Sequence, residues 1–440
     1  MNVLCIEKSA DGLLDLALRA QDAGHHVRYF LSSFDERKCP VGKGLVERVG
    51  DWRSSMVWAD LVLVGGNGSW MRELESWKAR GVPVIGCGGE AEKWELDRIA
   101  GMKAFKEGGV LVAPYTQVKS YAEALAYVAR RDEGFAIKPS GDVADKSLSV
   151  VEKTGRAMVD RLERLRKAGK VFPNGFIIQD RIEGVETAVG AWIGPGGFAE
   201  GWEENFEEKR LFAGALGPNC GEAGTVMRLV RSSKLAKKVL APFEDRLVTM
   251  GYVGNVDVNT IIDQDGNPWP LEWTMRFGYP AINIELALHH GDPIEFLAGV
   301  AAGRPPRSRT MNEIAVGVVL ALPPYPFGHE KTEEVIDIPI WGVTDGIKDA
   351  LHFCEVEQGT APRIENDRVV REVHLATAGS YVMVGTGTGE SVTAARKGAY
   401  RVLRRLDIPA SPFYRNDIGT RLRSDLPAIQ AHDYAMGMEY

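Results

Sequence analysis

The run from Gly254 to Pro280, GNVDVNTIIDQDGNPWPLEWTMRFGYP, places oxygen-bearing side chains at two-residue spacing on both sides of a turn. In its first part the alternation sends Val256 and Val258 to one face of a strand and Asn255, Asp257 and Asn259 to the other. Asp265-Gly266 tolerates the positive φ of a hairpin turn, so the PLEWT strand folds back alongside the first. Its own alternation puts Glu272 and Thr274 on one face, with Leu271 and Trp273 on the other. If the registers agree, Asp257, Glu272 and Thr274 converge as hard oxygen ligands, which suits a divalent cation, Mg²⁺ or Mn²⁺, that bridges phosphate oxygens. The competing reading is two solvated acids on a half-exposed sheet.

Other segments carry cations and backbone groups at spacings that suit a nucleotide. Phe135-Ala-Ile-Lys138 is strand-like and ends in a lysine, and the PSGDVADK stretch after it holds Lys146. A strand lysine supplies a fixed charge to a triphosphate, and a loop of small residues with a cation closes over it. Lys209 and Arg210, before a rigid Gly217-Pro-Asn219 turn, suit the charge of a phosphoryl group in transit.

Taken together these segments resemble an ATP-grasp ligase, in particular phosphoribosylamine–glycine ligase (GAR synthetase). Met102-Lys103-Ala104-Phe105-Lys106 resembles the family's Ser-Lys-Ala-Phe segment, which implies that Lys103 reaches the nucleotide phosphates. Lys138 and Lys146 match both lysines of its Lys-Ala-Asp-Gly-Leu-Ala-Ala-Gly-Lys-Gly-Val run. FIIQDRIEGVETAVGAW, residues 176 to 192, resembles its apolar strand and adenine hinge with a carboxylate seven residues on, which implies Gln179 and the backbone of Asp180 to Ile182 for the donor and acceptor of the adenine edge and Glu186 for the ribose diol. NFEEKRLFAGALGPNCGEAG resembles its Gln-Asp-His-Lys-Arg and Gly-Pro-Asn-Thr-Gly-Gly-Met-Gly runs, and SPFYRNDIGTRL resembles its terminal Phe-Tyr-Arg-Arg-Asp-Ile-Gly segment. The resemblance covers about residues 60 to 425. It implies ATP-dependent amide formation through an acyl phosphate, with ATP and Mg²⁺ (or Mn²⁺) as cofactors, in purine biosynthesis. Arg276 is then the candidate for holding the carboxylate or the transferred phosphoryl group, since a guanidinium binds either one bidentately.

The departures fall mainly on the substrate side. The family's Gly-Gly-Arg-Glu-His-Ala loop is replaced by Glu7-Lys-Ser-Ala-Asp-Gly-Leu-Leu, and its Asp-Pro-Glu after Arg-Phe-Gly by Tyr279-Pro280-Ala281. Asp145 and Ser147 stand where glycines flank the loop lysine. Thr274 replaces an Asn at the metal, while Asp257 resembles the Asp of other ATP-grasp ligases. Two alternatives stay open: a ligase joining an amino acid to a different amine, such as a modified nucleotide, and a non-catalytic nucleotide-binding protein.

The elements that would position these residues fall into three regions, in a chain of 440 residues with ordinary apolar and charged fractions. Up to about residue 95, buried strand-like runs (VLCI, HVRYFL, LVLVGG, VPVIGC) alternate with helical ones. The first helix is expected from Asp11, its N-cap, to Ala23, with Gly24 as its stop. That alternation predicts a doubly wound parallel α/β domain with ligands beyond the strand C-termini, near Gly65-Gly-Asn-Gly-Ser69. Residues 96–300 are expected to form the ATP-grasp domain, with a lid subdomain at about 108–180. After the Gly303-Arg-Pro-Pro-Arg linker, IAVGVVLAL, VIDIPI, VREVHLAT and YVMVG and a helix near Glu390 to Leu406 predict a small C-terminal α+β domain, 301–440.

Composition excludes several classes. The net charge of −7 gives no general attraction to nucleic acid or anionic lipid, and no stretch is apolar long enough to span a bilayer. The N-terminus lacks a basic-then-apolar leader, and five scattered cysteines without metal spacing suggest reduced thiols, so a cytoplasmic protein is expected. Small-molecule amino acid and amine substrates and a monomer or homodimer complete the expectation. The adjacent pairs His25-His26 and His289-His290 do not suit one metal.

Overall fold

The computed structural model describes residues 1–8, 12–32, 39–86, 88–141, 148–327 and 333–440. The N-terminal strands are apolar on both faces, as a sheet covered from both sides requires. Asn2–Glu7, His26–Leu31, Leu61–Val64 and Val84–Ile85 run parallel, with Glu47–Arg48 as a short edge strand. Val3 and Cys5 face the core beneath the helix Leu13–Asp22, and Leu4 and Ile6 face the one beneath Met71–Lys78. The strand order reverses between Asn2–Glu7 and Leu61–Val64, which places Glu7 and the Gly65–Ser69 loop at the switch point. The expected N-cap Asp11 lies outside the described residues. Gly12 (φ +119°) caps instead with no side-chain bond, and Glu7 Oε1 accepts from the Leu13 N–H at 3.1 Å.

A four-stranded antiparallel sheet follows, in the order Tyr115–Val118, Phe176–Asp180, Phe135–Pro139, Val150–Glu152. The helices Tyr121–Val128 and Gly155–Lys167 cover it around a core of its own that includes Val118, Val128, Phe135, Ile137, Met158, Leu162 and Ile178. This unit lies within the segment expected to be the lid.

The large sheet has nine strands. Its main path is Pro268–Thr274, Gly254–Ile262, Val185–Gly194, Trp202–Glu207, Gly224–Val230, Ile314–Ala321, Tyr381–Gly389 and Leu351–Phe353, and Gly197–Phe198 pairs with Val185–Gly194. The IAVGVVLAL and YVMVG runs, expected in a separate C-terminal domain, therefore extend this sheet, whose strands come from both sides of the expected division at 300. The cause is burial: every residue of Ile314–Ala321 is buried, so the strand needs neighbours on both edges and cover on both faces. The helix Val392–Leu403 supplies one cover with Val392, Ala395, Ala399 and Val402, and Ser391 Oγ caps it by accepting from Ala394 N at 3.2 Å. VIDIPI and VREVHLAT run as Ile336–Pro339 and Arg368–Ala378 in a three-stranded sheet with Val356–Glu365, a strand not expected from the sequence. Cys5, Cys39, Cys220 and Cys354 are free thiols. Among the described residues no helix is long and apolar enough to cross a membrane.

Candidate active site

The two strands at the sheet's edge pair antiparallel with Asp257 opposite Thr274 and Asn259 opposite Glu272, so the four side chains share a face. Their turn is five residues long, and only Gly266 takes a positive φ (+77°). Asp263 organises it, its Oδ1 accepting from Asp265 N at 2.9 Å and Asn267 N at 2.8 Å. The ladder slips between Asn259 and Thr260, so Leu271 is a bulge residue. Its carbonyl accepts from Lys138 Nζ at 2.8 Å, which ties the lid sheet to the strand that carries Glu272.

Further in, Gly190 leaves room for two acids over its strand. A Cβ there would meet Glu203 Oε2 at 2.8 Å and Asp257 Oδ2 at 3.1 Å. Asp257 is buried and accepts from Asn205 Nδ2 at 2.9 Å. Burial, with the Glu207 carboxylate nearby, pushes its carboxyl up to about 7.

Lys209 is the hub of the face. Its Nζ lies 2.7 Å from Glu186, 3.2 Å from Glu207 and 4.0 Å from Glu272, and donates to Asn259 Oδ1 at 2.8 Å. Burial would lower the ammonium's pKa, but Glu186, Glu207 and Glu272 outweigh it and hold Lys209 well above its ordinary value. Glu272 behaves conversely. Burial would raise it, yet Arg98 at 2.7 Å, Lys209 and Lys138 hold it far below the usual carboxylate range. Burial pulls Lys138 down to about 7.

The terminal SPFYRNDIGTRL segment positions this loop from behind. Glu207 and Lys209 face the site, and Glu208 between them points the other way to Arg415 (3.0 Å) and Arg421 (3.4 Å). Arg415 also donates to Arg210 O at 2.9 Å, and Arg421 to the carbonyls of Glu186 (3.0 Å) and Glu207 (3.2 Å).

Several expected residues lie elsewhere. Lys103 is 72% exposed and, among the described residues, pairs only with Glu107, at 3.5 Å. Its helix, Arg98–Glu107, docks through Phe105 stacked on Trp273 at 4.4 Å, which delivers Arg98 to Glu272. Positions five apart on a helix diverge by about 140°, so Lys103 cannot face the same way. Arg98 and Glu207 are site residues that sequence reasoning missed, and Asn259, placed on this face by its alternation, has no role assigned from the sequence. Lys106, on the same helix, reaches the Tyr115 ring at 4.6 Å, beside Gln179 across the ladder.

Arg210 is exposed and donates to Gly217 O at 2.7 Å, so it staples the Gly-Pro-Asn turn and does not join the acids. Gln179 is buried, its Nε2 donating to Ala113 O at 3.4 Å. The Asp180 N–H is committed to Pro114 O and its carboxylate to Arg131, both at 2.8 Å. The Arg181 N–H goes to Gly134 O, which leaves the Ile182 N–H without an acceptor among the described residues. Lys146 lies outside the described residues. Arg276 donates to Glu95 Oε1 at 3.0 Å, and Glu95 Oε2 accepts from Met275 N at 2.6 Å and Asn67 Nδ2 at 2.7 Å. The Gly65–Ser69 loop is thereby clamped to the end of the hairpin, and its Gly68 N–H serves an internal carboxylate, Glu92, at 3.1 Å.

The parallel sheet, the lid sheet and the large sheet together make up an ATP-grasp fold. The proteins it resembles are phosphoribosylamine–glycine ligases. That of Salmonella typhimurium is 25% identical over 368 residues, 79% of this chain and 80% of the relative. That of Leptospira interrogans is 25% identical over 374 residues, covering 82% and 83% respectively. The crystal structure of the Thermotoga maritima phosphoribosylamine–glycine ligase superposes with a TM-score of 0.72 at 18% identity, over 95% of this chain and 100% of that one. No protein-family model matches the chain.

Proposed function

We propose that this chain joins an amino acid, glycine, to an amine, phosphoribosylamine, at the expense of ATP. The observation that carries this is the convergence of Lys138 from the lid sheet with Glu186, Lys209 and Glu272 of the large sheet, three strands and a loop brought to one face. A carboxylate oxygen attacks the γ-phosphorus and ADP leaves. The amine nitrogen then attacks the acyl carbon, inorganic phosphate departs, and the amine gives up a proton. Lys138 and Lys209 offset the phosphate charge, Glu186 accepts from the ribose, and the Ile182 N–H and the Gln179 region meet the adenine edge. Arg276, held by Glu95, is the candidate for receiving the substrate carboxylate.

Asp257, Glu272 and Thr274 are the proposed ligands of Mg²⁺. Among the described residues no three His, Cys, Asp or Glu gather as a ready-made metal site. Two carboxylates on adjacent strands nonetheless fit Mg²⁺, which is usually held by one or two carboxylates and completed by phosphates and water. The metal neutralises phosphate charge when bound.

Asp257 must lose its proton to ligate. Because its carboxyl stays protonated up to about 7, affinity for Mg·AMP-PNP is expected to rise between pH 6 and 8, with proton release on binding at pH 6. Calorimetry in two buffers of different ionisation enthalpy counts those protons, and no release in the wild type, or the same release in Asp257→Asn, would count against the ligand.

A second reading, in which the amine is not phosphoribosylamine, is favoured by Tyr279, whose hydroxyl donates to Gly65 O at 2.9 Å and sets the ring across the glycine loop. ADP release with glycine and phosphoribosylamine, followed by a panel of amino acids and amines, separates the readings. Tight ATP binding without turnover on any pair would leave only a nucleotide-binding protein.

A further inference from the structure

Glu222 stands where the Gly-Pro-Asn-Thr-Gly-Gly run that this chain resembles has its last glycine. It lies just before the strand Gly224–Val230, half-buried, and its Oε2 accepts from Thr225 Oγ1 at 2.6 Å. Thr225 is the cross-strand neighbour of Glu207, and Asn205 is two residues from Glu207 on the same face. Burial, with the Glu207 carboxylate next in effect and Asp257 also contributing, raises the Glu222 carboxyl well above its ordinary value, which places it among those acids.

A second observation points to a ligand. Asn205 is only 2% exposed, and its Nδ2 is spent on Asp257 Oδ2 at 2.9 Å. Its Oδ1 is buried with no hydrogen-bond partner among the described residues. A buried amide oxygen without a donor is costly, and a group that supplies one relieves it. The Asn205 amide head lies against Asp257, on the strand face that also carries Glu207.

The acceptors on this face give the missing group its character. With Asp257 and Glu272 assigned to the metal and Glu186 to the ribose, Glu207 remains for Lys209 and Glu222 is left over. Glu222, Glu207 and Asn205 Oδ1 are acceptors, and an ammonium is the complement, with three donors and no acceptor.

We propose that Glu222, with Asn205 Oδ1 and Glu207, forms the subsite that receives the amino group of the amine co-substrate, an inference that rests on the ligase reading above. Glu222 is a binding residue in this account. It holds the amine as its ammonium form next to the face where the acyl phosphate is made, the ammonium gives one proton to solvent before its nitrogen attacks, and the subsite so selects amines that carry a positive charge.

Calorimetric titration of methylammonium chloride into the protein loaded with Mg·AMP-PNP reads the subsite without turnover, with tetramethylammonium chloride as a cation that cannot donate. The wild type is expected to bind methylammonium and not tetramethylammonium. Glu222→Gln, and Glu222→Gly as a second variant of the kind the resembled run already tolerates, are expected to weaken methylammonium by about tenfold or more while Mg·AMP-PNP affinity stays within about twofold. No methylammonium binding, equal binding of the two cations, or undiminished binding in the variants overturns the assignment. Hydroxamate formation from glycine, ATP and hydroxylamine tests the ligase reading separately, because hydroxylamine is uncharged at neutral pH and needs no ammonium subsite. A selective methylammonium response without hydroxamate would support the subsite and count against the ligation.

Discussion

Glu272→Ala is expected to lower Mg²⁺-dependent ADP release by about a hundredfold to a thousandfold while the protein stays folded. Glu272 is where the site's cations meet, with Arg98 at 2.7 Å and Lys209 at 4.0 Å, and its carboxyl is held far below the usual range by them despite burial. It is ionised at any working pH and presents a hard anionic oxygen beside Asn259 and one residue from the bulge that receives Lys138. Truncation removes that ligand and leaves Arg98, Lys138 and Lys209 facing one another. Those cations then seek phosphate oxygens directly, so metal-free ATP is expected to bind at least as well as to the wild type while turnover falls. Glu272→Gln separates shape from charge, since it keeps the first and loses the second, and it should resemble the alanine variant in turnover. A Mg²⁺ titration of ADP release together with a thermal melt checks both halves. Turnover within about threefold of the wild type, with an unchanged metal optimum, would remove Glu272 from the proposed ligands.

The hairpin was legible because its chemistry follows a period of two: Asp257 and Asn259 share a face whatever the rest of the fold does, and Asp263 to Gly266 has the composition of a turn. The same local logic found Lys138 at the end of an apolar strand and Lys209 before a rigid turn. It failed on the helix Arg98–Glu107, where two cations compete for one direction. Which of them faces the hairpin is decided by Phe105 docking on Trp273 from a segment 168 positions later, a contact with no local signal. Arg210 misled for a related reason: adjacent residues on an extended segment point opposite ways, and Arg210 found the carbonyl of Gly217. Residues 300 to 440 were readable as strands and a helix, but a strand buried on both faces does not say whose sheet it joins. Only the ladders of Ile314–Ala321 with Gly224–Val230 and with Tyr381–Gly389 show that the large sheet runs through that boundary. The terminal segment has a role that its resemblance did not reveal, because Arg415 and Arg421 act through Glu208 on the far side of the loop from Lys209.

Lys209→Ala is expected to damage both activity and stability, and the stability effect should depend on pH with a definite sign. The ammonium sits 2.7 Å from Glu186 and 3.2 Å from Glu207, within reach of Glu272, and its own pKa is raised by them against the cost of burial. Removing it leaves these acids as like charges in a partly desolvated cluster. Because the lysine keeps some exposure, the loss should be about 1 to 3 kcal/mol, below what a fully buried broken pair costs. In the wild type the cation keeps the Glu186 carboxyl below its ordinary value, so Glu186 does not take up a proton near neutrality. In the variant the carboxyl values of the cluster rise, the folded state binds protons more readily than the unfolded chain, and stability is regained as pH falls from 8 towards 6. Asp257 titrates near 7 in the wild type as well, so the quantity to compare is the difference between variant and wild-type melting temperatures at each pH. Lys209→Arg keeps a charge and should recover most of the stability, but a planar fork cannot reproduce the single Nζ that reaches Glu186, Glu207 and Asn259 Oδ1 together, so turnover should remain at least about tenfold low. Millimolar Mg²⁺ should partly restore the alanine variant's melting temperature, because a divalent cation relieves the same repulsion. A deficit that is equal at pH 6 and pH 8 and indifferent to Mg²⁺ would mean that Lys209 stabilises the loop by packing, and that the acids around it are not coupled through its charge.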